Sequence, residues 1–155
     1  NSGMYIHVNK WQHYAVTYDG TKVTIYVNGQ KAGDKNITSK VVKDGYFKYL
    51  TFGGIGGNNG AWAPGDRWWY GCNIMVTECR IWSVARTADQ ISKNILNVVP
   101  DTQGLEGYWK VSKATYDEVT KEFADLTGKG HPMTTNKSFV WNENISTEDT
   151  SSPWK

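Results

Sequence analysis

The sequence predicts an all-β antiparallel sandwich with one short helix. Three observations carry that expectation: short runs rich in β-branched and aromatic residues, glycine-bearing turn pairs between them, and a single segment with helical spacing and a cap. The first two runs are His13 to Tyr18 and Lys22 to Asn28, flanking Asp19-Gly20, a pair that favours the positive φ of a tight hairpin. In the second run Val23, Ile25 and Val27 share one face and Lys22, Thr24 and Tyr26 the other, so the apolar set is expected to face the core. Asn28-Gly29 supplies a second turn of the same kind, leading into Gln30 to Ala32 and completing a meander. The mixed polar stretch Asp34 to Asp44 is expected to form a loop with a short edge strand.

Tyr46 to Phe52 reads as a further strand, running into Gly53-Gly54-Ile55-Gly56-Gly57, where so many glycines indicate close backbone approach. Gly71 to Trp82 reads as a long strand with Cys79 and Ile81 on one face and Glu78, Arg80 and Trp82 on the other. Neither face is uniformly apolar, which predicts a bulge within it. One helix is expected: Thr87 and Gln90 form a capping-box pattern, Ile91 and Ile95 repeat at i, i+4, and Pro100 closes the segment. Leu105 to Val111 is the next strand, Asp125 to Gly130 a turn, and Ser138 to Trp141 the last strand. Residues 1–145 are assigned to the sandwich, and residues 146–155 to a polar, mobile C-terminal tail.

Composition narrows the function. The chain has 155 residues, about one domain, with 17 Lys and Arg against 15 Asp and Glu. Its basic residues are scattered, so neither a nucleic-acid groove nor an anionic membrane patch is indicated. No apolar run approaches the roughly 20 residues a membrane-spanning helix needs. Cys72 and Cys79 lie in one predicted strand. At about 3.3 Å per residue their Cα atoms would stand roughly 23 Å apart, too far for a disulfide, so both are expected free.

The densest chemical signal is Asn58 to Tyr70, which places Trp62, Trp68, Trp69 and Tyr70 in a Gly- and Pro-punctuated loop. Flat apolar rings can cover the C–H face of a pyranose, while Asn58, Asn59, Asp66 and Arg67 supply planar polar groups for its hydroxyls. The competing reading is that most of these rings plug a core. If the chain is extended at Trp68 and Trp69, one ring anchors the loop and the other is presented. For Trp11, Trp82 and Trp109, each in or beside an alternating strand, packing is the favoured role.

Four stretches, in order, resemble the laminin-G-like branch of the concanavalin A-like lectin/glucanase superfamily. They are Trp11 to Gly29 (WQHYAVTYDGTKVTIYVNG), Phe52 to Gly57 (FGGIGG), Cys72 to Ile91, and Gly104 to Ser112 with Asp125 to His131. The resemblance implies a jelly roll. In that family several strands precede the Trp-initiated hairpin, whereas ten residues precede Trp11 here. It therefore implies that N-terminal strands are absent, and that an upstream segment, a second chain or a swapped neighbour completes the sandwich. A reduced sandwich that closes on itself is the alternative.

Glucanases of the superfamily carry paired acids on one strand, because a retaining mechanism needs two carboxyl groups about 5–5.5 Å apart. The comparable strand here offers Glu78 alone, read as a structural acid bonded to backbone or to Arg80. Asp117, Glu118, Glu122 and Asp125 are too dispersed for a dyad, and His7, His13 and His131 show no ligand spacing. The resemblance also raises calcium, for which Asn58, Asn59 and Asp66 are the candidate ligands, although no dense acidic loop is present. The expectation is thus a non-catalytic glycan-binding module of a secreted, periplasmic or cell-surface bacterial protein. Its rivals are a protein-binding adhesion or scaffold domain and a glycoside hydrolase fragment whose acids lie upstream.

Overall fold

The computed structural model describes residues 10–37, 75–96 and 98–134. Within them the chain forms β1 (Tyr14–Tyr18), β2 (Lys22–Val27), β3 (Gln30–Asn36), β4 (Cys79–Trp82), α1 (Ala88–Lys93), β5 (Leu105–Trp109), β6 (Tyr116–Asp117), β7 (Glu122–Phe123) and β8 (Met133–Thr134). The expected class holds: antiparallel strands with one short helix. The strands make a three-stranded sheet β1-β2-β3, a two-stranded sheet β4-β5 and a three-stranded sheet β6-β7-β8. Described residues 10–37 and 80–106 belong to one compact unit, and 75–79 and 107–134 to another.

The first unit is built on the meander. The β1–β2 turn centres on Gly20-Thr21, one residue later than the sequence suggests, with Gly20 at φ +96° in the first central position. Asp19 takes the flanking place instead. Its Oδ1 accepts from Thr21 N–H (2.9 Å), Thr21 Oγ1 (2.8 Å) and Lys22 N–H (2.8 Å), while Asp19 N–H donates to the Lys22 carbonyl (3.2 Å). The β2–β3 turn is Asn28-Gly29, both at positive φ (51° and 77°), as its residue types require. β3 runs well past Ala32 to Asn36. Its register slips between Ile25↔Gly33 and Tyr26↔Lys31, leaving Ala32 as the bulged residue.

One expectation about this sheet is overturned. β2 buries Thr24 and Tyr26 (7% and 8% exposed), whereas Val23, Ile25 and Val27 are only partly covered. On β1 the residues paired with them, Tyr14, Val16 and Tyr18, are exposed at 45%, 67% and 45%. Alternation separates two faces of a strand, but only the packing partner decides which face is covered. Here cover falls on the Thr24–Tyr26 side.

The helix begins as expected. Thr87 Oγ1 accepts from Gln90 N–H (3.2 Å) and Gln90 Oε1 accepts from Thr87 N–H (3.0 Å), a complete capping box. It ends at Lys93, well before Pro100, because Asn94 leaves helical geometry at φ −122°, ψ 32°. Ile91 is its buried residue. Gly104, at φ +81°, leads into β5 and accepts from Ser83 N–H (2.9 Å). Leu105, 1% exposed, anchors the core of this unit with Tyr26, Ile91 and Val98.

In the second unit the core is Cys79, Tyr108, Trp109 and Phe123. Gly107 is buried under the Trp109 indole. A Cβ there would lie 2.2 Å from the ring, so no larger residue fits. The predicted strand from Gly71 begins only at Cys79 within the described stretch, because Glu78 sits at φ +48° and breaks the extended run. The β6–β7 hairpin was not anticipated, since 117–125 reads as loop in the sequence. It closes through Asp117, whose Oδ1 accepts from Val119 N–H (2.7 Å) and Thr120 N–H (3.0 Å), and through the Tyr116–Phe123 ring pair, centroids 4.8 Å apart. The predicted strands at 46–52 and 138–141 and the tail at 146–155 lie outside the described residues.

Candidate functional site

All eight residues of the candidate ligand site, Asn58, Asn59, Trp62, Asp66, Arg67, Trp68, Trp69 and Tyr70, lie outside the described residues, as do the calcium-ligand candidates among them. The chemistry that can be built from the described residues centres on Glu78, Asp125, His13 and the tryptophans.

Glu78 is the acid that catalysis would need. Its side chain is 14% exposed, its Oε2 accepts from the Tyr108 hydroxyl (2.7 Å), and Lys110 Nζ lies 3.6 Å from Oε1. Tyr108 comes from β5 and Lys110 from the residue just beyond its end. Tyr108 and Lys110 are partners of this carboxylate that the sequence did not foresee. Arg80 turns its Nη1 to the carbonyls of Asn94 (2.7 Å) and Ile95 (3.1 Å), just beyond α1.

Asp125 organises the turn read from the sequence as Asp125 to Gly130. Its Oδ1 accepts from Tyr108 N–H (3.2 Å), Thr127 N–H (3.0 Å) and Thr127 Oγ1 (2.8 Å), and its Oδ2 from His131 N–H (3.3 Å). Burial alone would raise its pKa. The hydrogen bonds from Thr127, Tyr108 and His131 outweigh that and hold the carboxyl below its usual range. The turn thereby also fixes Trp109, whose indole Nε1 donates to the His131 carbonyl (2.7 Å). Trp109 is 6% exposed and is a packing residue, as the sequence suggests.

Trp82 is partly buried, with the Arg86 guanidinium 4.0 Å above its ring. Trp11 is likewise partly buried. His13 lies at the entry to β1, with its Nδ1 buried and lacking a hydrogen-bond partner. Burial lowers its pKa below the imidazole value, and the charge of Arg80 lowers it further. No group of three or more His, Cys, Asp or Glu placed to hold a metal occurs among the described residues. Cys79 is buried, and Cys72 lies outside the described residues. No helix among the described residues is long and apolar enough to cross a membrane.

The surface feature that sequence reasoning missed is the β1–β2 face. Tyr14, Val16 and Tyr18 stand in a row beside Val27, Ile25 and Val23. The tyrosine hydroxyls are tied back locally, Tyr14 to Gln12 Oε1 (2.9 Å) and Tyr18 to the Gly20 carbonyl (2.8 Å), which leaves the rings on the surface. The alternation of large apolar with small residues along β1 could have identified this row, though not its exposure.

Antiparallel sheets with one short capped helix define an all-β domain. The chain belongs to the concanavalin A-like lectin/glucanases superfamily: a laminin G family model of that description matches residues 1–92. No curated protein matches the sequence. Among solved structures it is similar to a "putative carbohydrate binding protein" from Bacteroides ovatus, at 27% identity and TM-score 0.65, over 83% of this chain and 39% of that one. An S-layer domain-containing protein from Clostridium thermocellum aligns at 24% identity and TM-score 0.49, over 61% of this chain and 43% of that one. The chain therefore spans about two fifths of the length of each.

Proposed function

We propose that this chain is a non-catalytic carbohydrate-binding module of a secreted, periplasmic or surface glycan-handling protein, and that the loop from Asn58 to Tyr70 carries the affinity. The observation that carries the reading is the similarity to the Bacteroides ovatus protein, described as a "putative carbohydrate binding protein", within a superfamily of lectins and glucanases. The environment of Glu78 supports the non-catalytic part. A carboxylate engaged by a buried tyrosine hydroxyl and a lysine is a poor general acid, and a retaining mechanism needs a second carboxyl about 5–5.5 Å away.

Glycan-array binding by the intact chain, compared with Trp68→Ala and Trp69→Ala, tests the proposal. At least one variant should lose about tenfold in affinity, equivalent to roughly 1.4 kcal/mol, with an unchanged melting temperature. Array binding and fold that both survive the two substitutions would sink it.

A second reading is a protein-binding adhesion or scaffold domain. It is favoured by the exposed row Tyr14, Val16 and Tyr18, since contiguous apolar surface marks contact with another chain. A glycan array with no hits, together with charge substitution at Val16 that abolishes capture of a protein partner, would select it.

A further inference from the structure

We infer that His13 is an acid-sensitive latch, holding the β2–β3 turn against the C-terminal end of α1 only while its imidazole is uncharged. The inference rests on one contiguous cluster. The His13 backbone clamps the turn from both sides, its N–H donating to Asn28 Oδ1 (2.9 Å) and its carbonyl accepting from Asn28 N–H (2.8 Å). The next residue, Gly29, packs so tightly on the helix segment that a Cβ would stand 2.8 Å from Ser92 Cα and 3.4 Å from Ile95 Cδ1. Arg80 secures the same end of the helix through the Asn94 and Ile95 carbonyls. His13, the turn, the helix end and Arg80 therefore meet at one seam.

The His13 ring is the part of this seam that can change charge near neutral pH. Its Nδ1 is buried without a partner, tolerable for a neutral imidazole and costly for an imidazolium, which needs both ring nitrogens to donate. Among the described residues, the charged groups on the surrounding elements offer a new cation no help. Arg80 on β4 is itself positive and acts directly on the ring. On α1, Asp89 is paired with Lys93 at 2.7 Å, their side chains 78% and 73% exposed. On β3, Asp34 is taken by Lys31 at 2.7 Å. Burial and Arg80 both lower the imidazole pKa in the closed seam, whereas an opened seam returns it to the ordinary value of 6.5. The sign follows: the latch contributes fully above about pH 6.5 and its contribution is lost as pH falls through the lowered value. A six-residue helix cannot hold itself once released, so the seam opens before the sheet does.

The test follows His13 and the seam amides by NMR in the intact chain. The His13 ring should titrate below pH 6.5. Exchange protection of the Asn28 and Asn94 amides, corrected for intrinsic rate, should fall by about tenfold per pH unit across that window. The Leu126 amide, bonded to the Tyr108 carbonyl in the other unit, should keep its protection. In His13→Gln the acid-dependent loss at Asn28 and Asn94 should vanish. Equal loss in His13→Gln overturns the proposal. If that variant does not fold, the unsubstituted protein decides: a ring titrating at or above 6.5, or protection that stays constant through its titration, overturns it as well.

Discussion

At the scale of single residues, the described part of this protein depends on a few polar groups that are buried only because each has a partner. Tyr108 is 1% exposed and its hydroxyl meets Glu78. Tyr108→Phe keeps the ring but strips a hydrogen bond from a largely buried carboxylate, and should cost about 1–3 kcal/mol in denaturant unfolding. Gly107→Ala should be at least as damaging. Its Cβ would collide with the Trp109 ring at 2.2 Å, so the indole must leave its site and tryptophan emission should shift to the red. Asp125 gives a pH signature. Its folded pKa is depressed, so its contribution to stability is complete above the ordinary carboxylate value of 3.8 and is lost as pH falls through the lowered one. Asp125→Asn should flatten that part of the acid unfolding profile, measured by circular dichroism below about pH 4. Little of this was legible in the sequence. The acid Glu78 could be singled out, but Tyr108 and Lys110 are about 30 positions away and meet it only through the fold.

At the scale of elements, local chemistry predicted best where the information is itself local. The Thr87–Gln90 capping box formed as read, because both hydrogen bonds lie within one turn. Thr87→Ala should destabilise the unit carrying α1 by about 1 kcal/mol, and the Thr87→Ala, Gln90→Ala pair by less than the sum of the singles, since each bond supports the other. The Asn28-Gly29 turn was equally plain, its two residue types tolerating the positive φ that a tight hairpin demands. The first turn shifted by one residue because Asp19 serves better as an acceptor for Thr21 and Lys22 than as a central turn residue. The strand from Gly71 was overextended across Glu78, and the small β6–β7 hairpin was missed. Two-residue strands carry no periodicity, and this hairpin rests on a ring contact and one aspartate.

At the scale of the whole molecule, family membership and an exposed sheet face bear on one question: what the β1–β2 surface meets. Val16 is 67% exposed in the middle of that surface. Val16→Lys should change the stability of the folded chain by less than about 0.5 kcal/mol while reducing self-association in light scattering. If it instead unfolds the protein, the face is part of a core. Array binding tests the proposed glycan reading and Val16 charge substitution the protein-partner reading, each with its own readout.

The sequence by itself determined the all-β class, the two meander strands, the capped helix, the Asn28-Gly29 and Asp125 turns and the superfamily, because turn chemistry, capping and alternation act over a few residues. Only the tertiary structure decided which face of β2 is covered, that Glu78 meets Tyr108 and Lys110, that Arg80 reaches the end of α1, and that His13 is half-buried beside a cation. Those outcomes depend on which distant segments come to lie against one another, and burial and electrostatic fields arise from that contact rather than from any local pattern.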